Sequence, residues 1–354
     1  MEDFRINRKK QHLLIDIISI AIAATLTGCE GYDEIEDFGN ENMDWFRSFL
    51  LLPNGIPSHD TFNRVFSKMN PLKFEQCFRN WVNQVLEMHK SQLISIDGKT
   101  IRGAKSNGIK SPIHMVSAWA SDSNMVLGQI KVNEKSNEIT AIPELLNSLF
   151  IKDCIVSIDA MGCQENIAKT IIENKGDYLL AVKNNQAKLY QNMEDSFRFL
   201  KIADSNQNDN VDHGRVETRK CSIITDLSHL EEPEKWENIK ALIKIESERY
   251  IKSSGESEMS IRYYIASKDA NAEFYNTNIR NHWGIENKLH WTLDVIFQED
   301  SSRKRAENAA QNFSLINKVA LNILKNDKTK TCSIKRKQRF ALMNLDYLKI
   351  LMNF

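Results

Sequence analysis

Apolar residues recur at helical spacing through the first ninety positions and then give way to strand-like runs. Leu13, Ile17, Ile20, Ile22 and Ala24 predict an apolar helix, which Gly28 and Gly31 break. Residues 35–52 hold one or two more short helices, closed by Pro53-Asn54-Gly55. Ser58 then offers an N-cap to a short helix whose Phe62, Val65 and Phe66 share one face, leaving Thr61, Asn63 and Arg64 exposed. An exposed polar face after a tight turn suits a helix-turn-helix reader of DNA, and equally a plain helical bundle. Residues 74–88 read as a further amphipathic helix.

From residue 93 the texture is that of a sheet. The run 93–96 is short and apolar and leads straight into Asp97, whose neighbour Gly98 leaves one side of it open. Residues 114–120 and 126–132 read as two strands joined by the turn Ser121-Asp122-Ser123-Asn124. A helix over 139–149 precedes a buried strand over 154–158, which ends at Asp159. Helix 164–174, strand 178–182 and helix 185–200 complete the order β-β-β-α-β-α-β-α, with the first three strands antiparallel. Residues 204–212 are polar and read as a loop, between and beside short strands over 216–224, 239–247 and 261–266. Helical periodicity resumes at 272 and continues through Glu286 to about 326. The fold class is therefore α/β. Five regions follow: a helical domain 1–90, the first part of a mixed-sheet core 91–200, a β-rich insertion 201–268, a helical completion of the core 269–326 and a basic tail 327–354.

Composition adds little until charge is considered. The formal net charge is zero, so affinity for a polyanion has to come from local patches. One such patch runs from Arg303 to Arg339, where basic residues far outnumber Glu307 and Asp327. The six cysteines lie far apart, with no pair at zinc-site spacing. At the N-terminus, a basic start, an apolar stretch and Gly28-Cys29 look like a lipoprotein leader. Asp16 inside that stretch, its shortness, and a periodicity that continues to Ile35 and Phe38 favour a core helix instead. No segment reads as a membrane span.

Asp97 and Asp159 each end an apolar run, and strand ends in a mixed sheet converge at one edge. In the segment from Arg280 to Val295, a helix would set Glu286, His290 and Asp294 on one face, beside Trp283 and Asn287. Carboxylates without a Cys/His cluster indicate hard cations, Mg2+ or Mn2+. Two such ions suit an in-line phosphoryl displacement.

Three blocks carry a resemblance. They are Ile96-Asp97-Gly98-Lys99-Thr100-Ile101-Arg102-Gly103, Ile158-Asp159-Ala160-Met161-Gly162-Cys163-Gln164, and His282-Trp283-Gly284-Ile285-Glu286-Asn287-Lys288-Leu289-His290-Trp291. They resemble the catalytic blocks of the H-repeat-associated insertion-sequence transposases, which are DDE transposases. Gly176-Asp177-Tyr178, the run from Val182 to Gln186, the run from His213 to Arg219 and the N-terminal run from Pro53 to Phe62 are similar too, so the resemblance spans nearly the whole chain. It implies a ribonuclease-H-like core with Asp97 on the first strand, Asp159 after the fourth and Glu286 on a late helix. These three would be the catalytic and metal-holding residues, with two Mg2+ or Mn2+ ions. It also implies a β insertion ahead of the Glu helix. In the wider group, Tyr, Arg and Lys stand at fixed offsets around the Glu. Here His282 and Leu293 occupy two of those positions, with Arg280 and Lys288 as candidate substitutes.

The function expected is metal-dependent DNA cleavage and strand transfer by an insertion-sequence transposase. The alternatives are a relict DNA-binding protein and an endonuclease without strand transfer. Candidate DNA contacts are Thr61, Asn63, Arg64, Lys183, Gln186, His213, Arg215, Arg219, Arg280, His282, Trp283, Lys288 and His290. The expected setting is a homodimer on double-stranded DNA, in the cytoplasm with the nucleoid.

Overall fold

In the computed structural model, residues 3–5, 10–85, 92–104, 113–132, 137–212, 215–252 and 255–352 are described. Strands β1 (Leu93–Ile101), β2 (Ile113–Ala120) and β3 (Met125–Lys131) form an antiparallel meander. Beyond β1 lie β4 (Ile155–Ile158) and β5 (Asp177–Val182), both parallel to it and reached through helices α6 (Glu138–Asn147) and α7 (Glu165–Glu173). The order β3-β2-β1-β4-β5 is that of a ribonuclease-H-like core. Parallel strands need cover on both faces. Ile94, Ile96, Val156, Ile158 and Leu180 bury one face in the cluster that includes Ile142, Leu145, Ile167 and Ile171. Leu93, Ile155 and Leu179 bury the other beneath Ala272, Tyr275 and Ile279 of α9 (Ala272–His282).

The meander changes where the first acidic residue sits. The sequence ends the first strand at Ile96, but β1 continues to Ile101 because β2 offers it an antiparallel partner along that whole stretch. Asp97 therefore lies within a strand.

After α8 (Ala187–Phe199) come β6 (Asp204–Asp212), β7 (Arg215–Ile224), β8 (Ala241–Ile251) and β9 (Glu256–Ala266). β9 pairs antiparallel with β5 over Leu179–Val182, so these strands extend the core sheet to nine in the order β3-β2-β1-β4-β5-β9-β8-β7-β6. Residues 204–212, read from their polarity as a loop, are the edge strand β6. An edge strand needs only its backbone ladder, here to β7. Its polar side chains meet polar partners rather than a core. Asp204 accepts a hydrogen bond from the Ala272 N–H (2.9 Å), and Asn206 accepts one from Asn276 (2.8 Å).

The helical part is built around α1 (Leu14–Thr27), whose Ile17, Ile20, Ala23, Ala24 and Leu26 have no exposed surface. Gly28 closes it with φ of 98°, a left-handed conformation that glycine adopts without a Cβ clash. Asp16 is tolerated inside because it accepts a hydrogen bond from the Leu52 N–H (3.0 Å). Helices α2 (Tyr32–Glu41), α3 (Met43–Arg47), α4 (His59–Lys68) and α5 (Pro71–Val85) follow, matching the expected pattern. Ser58 stands at the N-cap of α4, but its hydroxyl lies 3.2 Å from the Thr61 hydroxyl and caps no backbone N–H. Among the described residues no single helix is long and apolar enough to cross a membrane, although α1 and α2 together pass that test as a pair bent by 96°.

The C-terminal third departs most from expectation. Instead of one helical run, α9 is followed by a π-helical segment (Ile285–His290), then α10 (Trp291–Val295), then an irregular stretch before α11 (Ala309–Asn326). A lysine from the sheet sits at that break. Lys99 of β1 reaches Asp294 (2.5 Å) and Glu299 (2.6 Å), both at its end. α11 then joins the two halves. Asn322 pairs with both backbone groups of Val126 on β3, while Asn312 donates to Phe66 O and Met69 O beside α4. Residues 327–354, read as a basic tail, contain α12 (Ile334–Met343) and α13 (Leu345–Met352), which pack on α1 and α11. Ala341, Tyr347, Leu348 and Leu351 are buried there, and the apolar spacing that seats them is masked in the sequence by interleaved basic residues.

Candidate active site

The ladder between β1 and β4 sets the first two acidic residues together. Its last pair is Ile96 with Ile158, so Asp97, still within β1, and Asp159, just past the end of β4, are the next residues on adjacent chain segments. Asp97 shares the face of Leu93 and Ser95, the face that α9 covers. Asp159 caps the short turn Ala160–Gly162, accepting from Met161 N (3.1 Å) and Gly162 N (3.4 Å) with one oxygen.

The third comes from above. α9 crosses the same face, where its last residue, His282, meets Ser157 of β4 at 2.8 Å. That contact fixes the start of the π segment, and one residue into that segment stands Glu286. A π-helix closes its hydrogen bonds over five residues, so Glu286, His290 and Asp294 do not align as they would on a regular helix. Asp294 turns to Lys99, His290 Nδ1 lies 3.4 Å from Asp97 Oδ2, and Glu286 faces outward. π segments of this kind recur at functional sites.

Asp159 and Glu286 line a cleft of about 830 Å³, together with Lys183, Asn185, Arg262 and His282. Asp97 does not line it directly. Its carboxyl is nevertheless pushed up to about 7, first by burial and then by the charges of Asp159, Glu286 and Glu138. Burial and Asp159 likewise raise Glu286. His290 is held neutral, pushed down to about 3 by burial and by Lys99 and Lys318, so its contact with Asp97 is not an ion pair. A cluster of acidic side chains that pushes up the carboxyls of Asp97 and Glu286 favours a cation, and all-oxygen donors match Mg2+ or Mn2+. Among the described residues, no three His, Cys, Asp or Glu side chains close around one point. The donor chemistry thus fits such ions, while the coordination sphere is not drawn together.

The other predicted residues divide into groups. Lys183 lines the carboxylate cleft, but Gln186 turns away and donates to Cys163 O (2.9 Å), bracing the Asp159 turn. Arg219, Arg280 and Lys288 line a second cleft, and Trp283 borders both clefts. Thr61, Asn63 and Arg64 sit on α4 far along the chain from either, Asn63 and Arg64 exposed, with Arg64 donating to Thr61 (3.2 Å). Arg215 belongs to β7, and His213 lies outside the described residues.

The sequence reading missed Lys99, the His114–Glu138 pair (2.5 Å), Arg249 and Arg262. The pair lies against Gly98. A Cβ there would come within 2.2 Å of Glu138 Oε1 and 2.6 Å of His114 Nε2, so the glycine makes room for this pair rather than opening Asp97. The arginines did leave a signal. Glu217-x-Arg219, Ser247-x-Arg249 and Ser260-x-Arg262 alternate at strand period and share one face of β7, β8 and β9.

Residues 88–323 match the family described as transposase DDE domain, and residues 1–82 match the one described as DDE_Tnp_1-associated. The chain is 43% identical to the H repeat-associated putative transposase YhhI of Escherichia coli K12, over 98% of this chain and 94% of that protein. It is also 43% identical to the putative transposase YncI of Escherichia coli O157:H7, over 98% of this chain and 91% of the relative. Among solved structures, the piggyBac transposase synaptic complex with hairpin DNA aligns at a TM-score of 0.48 and 13% identity, over 100% of this chain and 75% of that one. The two family matches, and 43% identity over 98% of the chain to the H repeat-associated relative, mean that the chain belongs to the DDE transposase family, beside the H-repeat-associated transposases.

Proposed function

We propose that the chain cleaves DNA and transfers the cut strand as the transposase of an insertion sequence, with Asp97, Asp159 and Glu286 holding two Mg2+ or Mn2+ ions. The observation that carries this reading is the β1–β4 register, which makes Asp97 and Asp159 neighbours under the segment bearing Glu286. When bound, such ions activate a water or a 3′-hydroxyl and stabilise the leaving oxygen. Lys183, on the rim of the same cleft, orients a backbone phosphate toward the carboxylates. His282 and Ser157 fix the start of the π segment and so the height of Glu286 above the sheet. Thr61, Asn63 and Arg64 read the ends of the element, and exposed members of the basic stretch such as Arg303, Lys335 and Arg339 add sequence-independent phosphate contacts. The working form is a homodimer on duplex DNA, in the cytoplasm.

Asp97→Asn, Asp159→Asn and Glu286→Gln should each abolish cleavage of a duplex carrying the element's end, with DNA binding and thermal unfolding little changed. The losses should be severe and non-additive, because the three act on one transition state. EDTA should stop cleavage, and Mg2+ or Mn2+ should restore it. Near wild-type cleavage by any one variant removes that residue from the site.

A further inference from the structure

A set of enclosed charges stands between β1 and α5, and the cleavage chemistry uses none of them. Lys318 of α11 is 2% exposed, and Glu299 and Glu75 are buried with it. By its place in the sequence Lys318 belongs to the basic stretch from Arg303 to Arg339, yet it is sealed away from any polyanion. Its ammonium donates to Gln129 Oε1 on β3 (2.6 Å) and to the Ser314 hydroxyl (2.9 Å). Both acceptors are neutral. The anions that answer its charge are Glu299, first, and Glu75.

Those two anions lead to different parts of the molecule. Toward the sheet, Glu299 meets Lys99 of β1 at 2.6 Å, and Lys99 also reaches Asp294 at 2.5 Å. Burial alone would raise the Glu299 carboxyl, but Lys99 and Lys318 prevail and hold it at about 2. It is a full anion between two cations. Lys99 stands two positions after Asp97, and Asp294 lies in α10, which continues directly from the π segment that carries Glu286. Toward the helical domain, Glu75 accepts the backbone N–H of Gln129 (2.9 Å), and Arg79 one turn on stands 3.6 Å from it. The row Glu75, Gln129, Lys318, Glu299, Lys99, Asp294 thus crosses the interior from α5 to the strand of Asp97 and the segment of Glu286.

Stability gives no reason for such a row. Exchanging enclosed ion pairs for apolar residues of similar volume is often neutral or stabilising, because desolvation offsets the Coulomb attraction. What the charges do supply is placement, since a buried ion is held where its counter-ions are. We propose that Lys318 is a positioning residue for the carboxylate site: by holding Glu299 it fixes Lys99, and through Lys99 the place of Asp294 and Glu286 relative to the strand that bears Asp97. Being enclosed, it touches neither DNA nor metal and acts only through Glu299 and Lys99. The proposal rests on the reading of the carboxylates as the site of DNA cleavage.

The test compares Lys318→Met with Lys318→Met/Glu299→Gln in the full chain. The single change leaves Glu299 and Asp294 with Lys99 as their only close cation, and its unfolding midpoint should fall. The double change leaves Lys99 balanced by Asp294 and should recover most of that loss. Function should not recover with it. Cleavage of a duplex carrying the element's end, at saturating protein, should fall by about 100-fold in both variants, the effect of a displacement of about 1 Å at the reacting centre, while duplex affinity in EDTA stays at the parent value. Deuterium exchange followed by mass spectrometry supplies a readout that needs no cleavage. In the double variant, amides of 285–298 should exchange faster than in the parent, and those of α1 and α7 at the parent rate. A double variant whose exchange over 285–298 and cleavage both match the parent overturns the proposal, because the charge then serves stability alone. Faster exchange spread evenly over the chain overturns it too. If the parent itself does not cleave, the catalytic reading fails, and the exchange over 285–298 still decides the positioning.

Discussion

Lys99 does the most at the scale of a single side chain. It stands two positions after Asp97 on the same strand face, almost fully buried, between Asp294 and a fully enclosed Glu299. Breaking a buried ion pair by removing one partner leaves the other charge uncompensated, which costs about 3–5 kcal/mol. Lys99→Met should therefore lower stability by about that amount in urea unfolding. Glu299→Gln in the same background should recover part of it, because the stranded charge is gone. A loss below about 1 kcal/mol for Lys99→Met would mean the pair is better solvated than its burial indicates. That Asp97 and Asp159 lie side by side was legible in the sequence, because each follows directly on a short apolar strand run. Lys99 was not, since its partners lie about two hundred positions away and only folding brings them near.

Among the elements, α4 is the one that advertises a second role. Phe62, Val65 and Phe66 bury one side of it, while Asn63 and Arg64 stand exposed on the other. If the free side reads bases, Arg64→Ala should narrow the affinity gap between the element's end and random DNA by about 1–3 kcal/mol, as expected for a bidentate base contact. Equal losses on both DNAs in the same binding assay would reduce α4 to scaffold. The strands of the core were readable from their apolar runs, and the three antiparallel strands from the turn between 121 and 124. β6 was not readable, because an edge strand of Asp, Ser and Asn carries a loop's composition and owes its shape to β7. The π segment was equally hidden: regular helical spacing and its one-residue excess look alike in sequence, and the contacts of His282 before it and of Asp294 beyond it are made only on folding.

On the scale of the whole molecule, the last helices hold the first. α12 and α13 cover α1, and Asp327 anchors them. Its carboxylate accepts hydrogen bonds from Thr329 N (2.9 Å), Thr329 Oγ1 (2.6 Å) and Tyr347 Oη (2.7 Å), with Lys337 Nζ at 3.2 Å. Burial alone would raise its pKa, but the Thr329, Tyr347 and Lys337 contacts prevail and hold it at about 2. A carboxyl depressed on folding stabilises the protein above its unfolded pKa of about 4, and that contribution fades as pH falls toward 2. Asp327→Asn should thus cost roughly 2 kcal/mol at pH 7 and almost nothing near pH 2, measured by unfolding at both. An equal cost at the two pH values would assign the effect to packing. The closure of α1 by α11, α12 and α13 also sets a timetable. During synthesis at about 5–20 residues per second, the apolar side of α1 emerges about 15–60 seconds before the helices that cover it. For that interval Ile17, Ile20 and Leu26 form an unprotected sticky surface, and a nascent chain halted before residue 309 never loses it. Such a halted chain is a natural client for a ribosome-side chaperone, and the completed one is not.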